Sequence, residues 1–177
     1  MLKSLNSTFL ALIPKKEEAN RLDQFRPIAL CNVVYKIITK LIVKRLKPLL
    51  GSLISAKQGG FVEGRQILDG VVIEMEVIHS MSTSKEKAIF IKLDMAKAYD
   101  CVSWEFLQKI LLAFGFDVEW VNWVLSYVTS PYSVLINGEL SNLFGASQGL
   151  WQGDPLSPYL FIIMAEGLGI FLKSQVR

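Results

Sequence analysis

Residues 157–173 constrain the fold more than any other segment, because they are apolar on nearly every face that a helix would present. Ser157 and Pro158 are typical of a helix start, and Glu166 is the only carboxylate side chain beyond them. A helix that is apolar all round is stable in water only when other elements cover it on all sides. We therefore predict a buried helix that needs partners on all sides.

The other long apolar segment does not predict a membrane-spanning helix. Residues 120–138 carry no charged side chain, but Ser130-Pro131 and Asn137-Gly138 divide them into a short helix and a turn. A membrane span needs about 20 continuous apolar residues in one helix. We therefore expect no membrane partner.

Composition excludes further classes of protein. Of the 177 residues, 51% are apolar, whereas intrinsically disordered chains have too few apolar side chains to form a core. Two cysteines are too few for a secreted scaffold held by disulfides. The length is typical of one globular domain, so we predict a single domain over residues 1–177.

Alternating and helical hydrophobic patterns together predict an α+β fold. Ser103 and Asp117 stand where helix N-caps are expected, and Asn137-Gly138 is typical of a tight hairpin turn. Extended segments are expected at residues 8–14, 25–30, 88–94, 132–136 and 139–144. Helices are expected at residues 32–47, 66–81, 103–114, from 117 onward and at 157–173.

Helical spacing also predicts which faces of the first two helices are buried. In the first helix the expected buried residues are Val33, Val34, Ile37, Ile38, Leu41 and Ile42. In the second helix they are Ile67, Leu68, Val71, Val72, Met75 and Ile78.

Positive charge is concentrated in the first part of the chain. Residues 1–65 carry a net charge of +8 and residues 66–177 carry −5, which together make the overall +3. Such a surface favours a polyanionic partner such as nucleic acid. The first helix contributes a stripe of lysines at helical spacing, namely Lys36, Lys40, Lys44 and Lys47. A solvated helix face is the ordinary interpretation of this stripe, and nucleic-acid contact is the alternative.

Asp94 is the first candidate for chemistry. It stands at the end of the apolar strand predicted at residues 88–94, and a short segment leads from it to Asp100. A carboxylate at a strand end can bind a divalent metal ion, and the amides of the turn that follows can face a phosphate. The alternative is that Asp94 and Asp100 only cap a turn and a helix.

Five motifs occur in order along the chain. They are residues 12–15 (LIPK), 25–30 (FRPIAL), 58–65 (QGGFVEGR), 93–100 (LDMAKAYD) and 152–158 (QGDPLSP). Together they resemble the reverse transcriptase of non-LTR (LINE-type) retrotransposons, especially the copies abundant in plant genomes. The resemblance extends from about residue 9 to residue 172.

The resemblance implies the fingers and the first part of the palm of a right-hand polymerase. Residues 1–87 would form the fingers and residues 88–177 an incomplete palm. Asp94 would be the first Mg²⁺-binding aspartate of the catalytic site, where two ions support phosphoryl transfer. Tyr99 would pack beneath the sugar of the incoming nucleotide and disfavour a 2′-hydroxyl. The substrates implied are an RNA template, a DNA primer and deoxynucleoside triphosphates.

Nucleotide contacts are implied at four further positions. Lys15 and Arg26 match the finger residues that bind the triphosphate, for which ammonium and guanidinium groups are suited. Gln152 and Gly153 match a loop that lies against the nucleotide and the template, where glycine permits close approach of the backbone. For Asp154 and the two residues that open the final helix, we expect a structural role as turn and cap.

The sequence departs from the family pattern in two places. Trp151 stands where the family usually has a basic residue, which removes one expected contact to template or phosphate. The Asp-Asp motif that supplies further metal ligands is absent, because no Asp-Asp dipeptide occurs in the chain. We therefore expect no nucleotide incorporation by this chain alone. The alternatives are a non-catalytic nucleic-acid-binding remnant and a decayed product without function.

The missing motif also bears on the final helix, which the strands carrying that motif would help to cover. We therefore expect an exposed apolar patch through which the chain associates. Its expected members are Phe161, Ile162, Leu168, Ile170 and Phe171.

Overall fold

Among the residues that the structure describes, five helices and four strands form the α+β fold expected from the sequence. The computed structural model describes residues 8–84, 89 and 94–175. The strands are β1 (Thr8–Pro14), β2 (Phe25–Leu30), β3 (Tyr132–Ile136) and β4 (Glu139–Leu140), with a 3₁₀ turn at Leu22–Gln24. The helices are α1 (Val33–Leu53), α2 (Ile67–Thr83), α3 (Trp104–Ala113), α4 (Val118–Val128) and α5 (Ser157–Gln175). The strand predicted at residues 88–94 lies outside the described residues, apart from its positions 89 and 94.

The four strands form one sheet in the order β2-β1-β3-β4. Strands β1 and β2 are antiparallel, with Ile13 opposite Arg26. Strand β3 pairs with β1 in parallel, with Thr8 opposite Tyr132. The sheet therefore joins two segments more than a hundred residues apart in the chain.

The hairpin predicted at residues 132–144 is confirmed at its turn and is shorter on its returning side. Asn137 and Gly138 both have positive φ, at 50° and 89°, which is the geometry of a type I′ turn. Strand β4 has only two residues, and pairing resumes at Phe144 opposite Tyr132. The returning side carries one extra residue in between, and a bulge of this kind interrupts a strand.

Local capping sets where three of the helices begin. The Asn32 carboxamide oxygen accepts from Val34 N at the start of α1, and Ser103 Oγ accepts from Phe106 N at the start of α3. Asp117 accepts from the backbone of two residues at the start of α4. The predicted caps at Ser103 and Asp117 are confirmed, because a side-chain acceptor satisfies amides that lack an intrahelical partner.

The core surrounds the first half of α5. Helix α3 packs directly against α5, and Gly167 of α5 lies against Ile110 of α3. A single cluster of buried side chains joins α1, α3, α4 and α5. Its members with no exposed surface are Leu50, Val102, Leu107, Leu111, Leu156, Leu160 and Ile163. The predicted burial of this helix is thus confirmed over its first half.

The buried face of α1 differs from the prediction. The six residues expected to be buried are exposed or half-buried, and Val33 is 69% exposed. The buried residues are Tyr35, Thr39, Val43, Leu46 and Leu50. Both faces repeat at helical spacing, and periodicity does not determine which of them the neighbouring elements cover. The helix also continues past residue 47 to Leu53 with Pro48 inside it.

The helix predicted at residues 66–81 is confirmed as α2, but its predicted buried face is wrong. None of its residues is buried, and all six side chains expected in the core are exposed. Burial requires a partner element, and no described helix or strand packs extensively against α2. The amphipathic pattern is real, but it is unpartnered among the described residues.

The predicted apolar patch on α5 is wrong in its first part. Ile162 is buried, Phe161 is half-buried against Tyr99, and Leu168 is half-buried. Only Ile170 and Phe171 are exposed as expected. Helix α3 and the turn that carries Tyr99 cover the first half of α5. The described residues therefore supply part of the cover that this helix needs. Within the described part of the chain, no helix combines the length and apolarity that crossing a membrane requires.

Candidate nucleotide-binding cleft

The loop that precedes α5 is tied to two distant parts of the chain. On one side, Gly149 N donates to Val102 O at 2.8 Å and Leu150 N donates to Tyr99 O at 2.9 Å. On the other side, Ala29 N of β2 donates to Gln152 O at 2.8 Å. The loop therefore links the turn that follows Asp94 to the outer edge of the sheet.

Two glycines permit these close contacts. Gly149 has φ of 106°, and a Cβ there would lie 3.3 Å from Asp100 O. Gly153 has φ of 95°, and a Cβ there would lie 3.3 Å from Ile28 Cγ2. Both positions combine a left-handed backbone with a near neighbour, so glycine is required for two reasons at once.

The tied loop forms one wall of an open cleft of about 470 Å³, within the roughly 300–1,000 Å³ of small-molecule sites. Tyr99, Gln152 and Gly153 all line it, together with Asp154 and Pro155. The structure thus brings together three of the residues that the sequence predicted to contact a nucleotide.

Tyr99 is held in place by stacking. Its ring lies 5.3 Å from that of Phe161, with 26° between the ring planes. Burial raises the pKa of the Tyr99 phenol, so the side chain is neutral near pH 7. An aromatic ring fixed against a helix in this way is a rigid part of the cleft wall.

Gln152 is oriented by Asp100. Its Nε2 donates to Asp100 Oδ1 at 3.3 Å, and Gln148 Nε2 donates to the Asp100 carbonyl at 3.2 Å. The sequence offered only a capping role for Asp100. The only sequence signal that Asp100 belongs to the cleft was its position in the same motif as Tyr99. Its partner Gln152 lies 52 residues away, where local sequence patterns do not indicate a contact.

Lys15 and Arg26 lie at the same end of the β1–β2 ribbon. Ile13 is opposite Arg26, and Lys15 follows the end of β1, where its backbone N donates to Gln24 O at 2.8 Å. Ile28, which meets Gly153, is two residues from Arg26 in β2 and lies on the same face of that strand. Both cations are exposed, and Lys15 Nζ donates to the Asp23 carbonyl at 2.9 Å.

Asp94 is an exposed carboxylate before the turn that carries Tyr99. In that turn Lys97 has φ of 52°, a conformation uncommon for a residue with a side chain. Among the described residues, no three His, Cys, Asp or Glu side chains are grouped so that they could hold a metal ion. The donor set around Asp94 therefore does not complete a magnesium site.

Asp154 has the structural role that the sequence predicted. It is 4% exposed, and its Oδ2 accepts from Leu156 N at 2.8 Å and Ser157 N at 3.1 Å. These bonds satisfy amides at the start of α5. Its Oδ1 accepts from the Tyr127 hydroxyl at 2.5 Å, a contact that the sequence did not indicate.

Trp151 replaces the basic residue of the family pattern by a buried aromatic ring. It is 2% exposed, and its ring lies 4.5 Å from that of Tyr127 and 5.8 Å from that of Tyr132. The side chain packs in the core and presents no charge to the cleft.

The lysine stripe of α1 is mainly solvated. Lys36 is half-buried and the other three lysines are exposed. Lys47 Nζ lies 6.0 Å from the centre of the Tyr159 ring. The ion pairs among the described residues lie elsewhere, so none of these lysines forms an ion pair with a described acid.

Comparison with known proteins shows the family to which the chain belongs. The sequence pattern of the family described as reverse transcriptase (RNA-dependent DNA polymerase) matches residues 13–176. The uncharacterized 149 kDa protein of transposon TX1 from Xenopus laevis is 30% identical over 98% of this chain. The retrovirus-related Pol polyprotein of the type-2 retrotransposable element R2DM from Drosophila melanogaster is 28% identical over 93% of this chain.

The plant-like character stays a prediction. An uncharacterized mitochondrial protein from Arabidopsis thaliana is 52% identical over 42 residues, which is 23% of this chain and 34% of that protein. The chain spans only 13% and 15% of the transposon TX1 and R2DM proteins. The family match covers nearly the whole chain, and the chain belongs to the reverse transcriptase (RNA-dependent DNA polymerase) family, as a reverse transcriptase domain of the non-LTR retrotransposon type.

Proposed function

We propose that this chain forms the nucleotide-binding part of a reverse transcriptase, with residues 1–87 as fingers and residues 88–177 as the first part of the palm. The observation that carries the proposal is the cleft in which Tyr99 meets Gln152 and Gly153. The occupant is a deoxynucleoside triphosphate, paired with an RNA template and added to a DNA primer in the complete enzyme.

The residues of the cleft and of the adjoining ribbon have distinct tasks in this proposal. Tyr99 packs beneath the sugar, and its fixed ring leaves no room for a 2′-hydroxyl. Lys15 and Arg26 bind the triphosphate from the end of the adjoining ribbon, where the guanidinium offers paired donors. The backbone of Gly153 approaches the nucleotide closely because no side chain intervenes, and Gln152 is presented by Asp100.

Catalysis needs more than this cleft. Reverse transcriptases are polymerases that typically need a divalent metal ion, which stabilises the charge that develops in phosphoryl transfer. We assign Asp94 as one magnesium ligand, and the described residues supply no complete set. The chain alone is therefore expected to extend no primer on an RNA template. Steady extension that Asp94→Ala abolishes would contradict this part of the proposal.

Nucleotide binding tests the proposal without requiring catalysis. Calorimetric titration of the 177-residue chain with a deoxynucleoside triphosphate and with the matching ribonucleotide should show preference for the former. Arg26→Ala should raise the dissociation constant about 10- to 100-fold, because charged hydrogen bonds contribute roughly 1.5–3 kcal/mol. Tyr99→Ala should reduce the preference for the deoxynucleotide.

Lys109→Ala is the matched control for charge. Lys109 pairs with Glu105 on the exposed surface of α3, so its loss should leave nucleotide affinity unchanged. Absence of binding by the unaltered chain, or equal weakening by Lys109→Ala, would overturn the proposal.

A further inference from the structure

Asp154 is a buried carboxylate whose hydrogen bonds join two helices to the cleft loop. Its Oδ2 binds the first amides of α5, as described above, and its Oδ1 accepts from the Tyr127 hydroxyl of α4. Burial and the neighbouring Asp154 charge both raise the pKa of Tyr127, so its hydroxyl keeps its proton and donates. A buried carboxylate is costly unless donors satisfy it. Tyr127 of α4 provides one donor from outside the loop and α5, and the Thr39 side chain of α1 also hydrogen-bonds Asp154.

Tyr127 is itself held rigidly. Its ring stacks on that of Tyr35 of α1 at 5.4 Å, and it lies 4.5 Å from the tilted ring of Trp151 in the loop. Only 8% of Tyr127 is exposed. The side chain therefore contacts the loop at two points, through the Trp151 ring and through the Asp154 carboxylate.

These two points lie on either side of Gln152 and Gly153. The loop between them has one further anchor on the sheet, the bond from Ala29 N to Gln152 O. A loop fixed at Trp151 and at Asp154 has little freedom at the two residues in between, because only the backbone dihedral angles of those two residues can still change. The position of the nucleotide-contacting backbone thus depends on α4, which lines no part of the cleft.

We propose that Tyr127 is a positioning residue for nucleotide binding: its hydroxyl, through Asp154, holds the Gln152–Gly153 backbone against β2 in the geometry that receives the triphosphate. The inference rests on the proposed function of the cleft. It assigns a role to a residue that no motif includes.

Tyr127→Phe tests this role, with Tyr35→Phe as its matched control. Both variants remove one phenol hydroxyl from the same aromatic cluster, and the Tyr35 hydroxyl interacts with Ser130. Tyr127→Phe should raise the dissociation constant of a deoxynucleoside triphosphate about tenfold, since a hydrogen bond to a charged group is lost. Tyr35→Phe should leave that constant unchanged at a similar melting temperature.

Hydrogen exchange of the Ala29 amide is a second measurement of the loop position, and it does not require nucleotide binding. Tyr127→Phe should accelerate exchange at Ala29, because its acceptor is Gln152 O, and should leave the amide of Leu107 in α3 unaffected. Asp154→Asn keeps an acceptor for the α5 amides and a weaker partner for Tyr127, so it should shift both readings in the same direction by less. It provides the test should Tyr127→Phe fail to fold.

The outcomes separate this inference from the proposed function. Unchanged affinity and unchanged Ala29 exchange in Tyr127→Phe and Asp154→Asn would overturn the inference. Equal effects of Tyr127→Phe and Tyr35→Phe would overturn it as well, by reducing Tyr127 to a core residue. If the unaltered chain binds no nucleotide, the proposed function fails, and Ala29 exchange alone then decides whether Tyr127 positions the loop.

Discussion

The lack of a Cβ atom at its glycines determines how closely the cleft loop approaches its neighbours. At Gly153 a Cβ would meet the Ile28 side chain at 3.3 Å, whereas at Gly138 in the hairpin turn nothing lies within 4 Å. Both have positive φ, at 95° and 89°. The pair therefore separates the effect of backbone strain from the effect of close approach.

Gly153→Ala and Gly138→Ala should each lower the free energy of unfolding by about 1–2 kcal/mol, the cost of a left-handed backbone for a residue with a Cβ. Only Gly153→Ala should also accelerate exchange of the Ala29 amide, because Ile28 and the loop must move apart. Urea denaturation and hydrogen exchange measure the two effects. Equal exchange at Ala29 in both variants would contradict the close-approach argument.

Among the elements, α3 and α5 meet through a glycine that permits close packing. A Cβ at Gly167 would lie 2.4 Å from Ile110 Cδ1, whereas at Gly169 of the same helix nothing lies within 4 Å. The two glycines have the same helical backbone and differ only in whether a side chain of another helix lies opposite. A comparison of alanine substitutions at the two positions therefore separates the effect of packing from that of helix propensity.

Gly167→Ala should destabilise the chain by about 1–3 kcal/mol through overpacking against Ile110, less the gain in helix propensity. Gly169→Ala should stabilise it by about 0.5–1 kcal/mol, since alanine is the better helix former. Urea midpoints of the two variants measure the difference. A stabilising Gly167→Ala would show that α3 and α5 can separate without cost.

The lysine stripe of α1 is the second feature at this scale. Replacing Lys36, Lys40, Lys44 and Lys47 by Gln should flatten the salt dependence of single-stranded RNA binding, because each phosphate contact contributes about −0.7 to the logarithmic slope. Lys109→Gln with Lys173→Gln serves as a control away from the stripe. An unchanged slope would assign the stripe to a solvated helix face.

Over the whole molecule, α1 and α2 present more exposed apolar surface than α5. Val33 is 69% exposed, and on α2 Ile67 is 75%, Leu68 is 68% and Met75 is 66% exposed. A monomer's largest apolar patch is typically about 300–600 Å². Association is therefore expected through these two helices rather than through the end of α5.

In sedimentation velocity, the 177-residue chain should associate in a concentration-dependent manner. Leu68→Lys with Met75→Lys should reduce that association and change the free energy of unfolding by no more than about 0.5 kcal/mol, because both side chains are exposed. Ile170→Lys tests the end of α5 and should have the smaller effect. A monomer at every concentration would contradict this prediction.

The sequence by itself determined the local features and the family. Caps at Ser103 and Asp117 and the turn at Asn137-Gly138 were predictable, because each depends on side chains within a few residues of the backbone they satisfy. Tyr99, Gln152 and Gly153 were predictable as a group, because their motifs match a known family.

Only the tertiary structure decided which apolar faces are buried and how the cleft is held. Helix α1 has two apolar faces, and the covered one depends on elements that fold against it from far along the chain. The same holds for the parallel pairing of β1 with β3, for Asp100 with Gln152 and for Tyr127 with Asp154. These contacts join residues 27 to more than 100 positions apart. Periodicity and capping act over a few residues, whereas such contacts are decided by the competition of the whole chain for burial and hydrogen bonds.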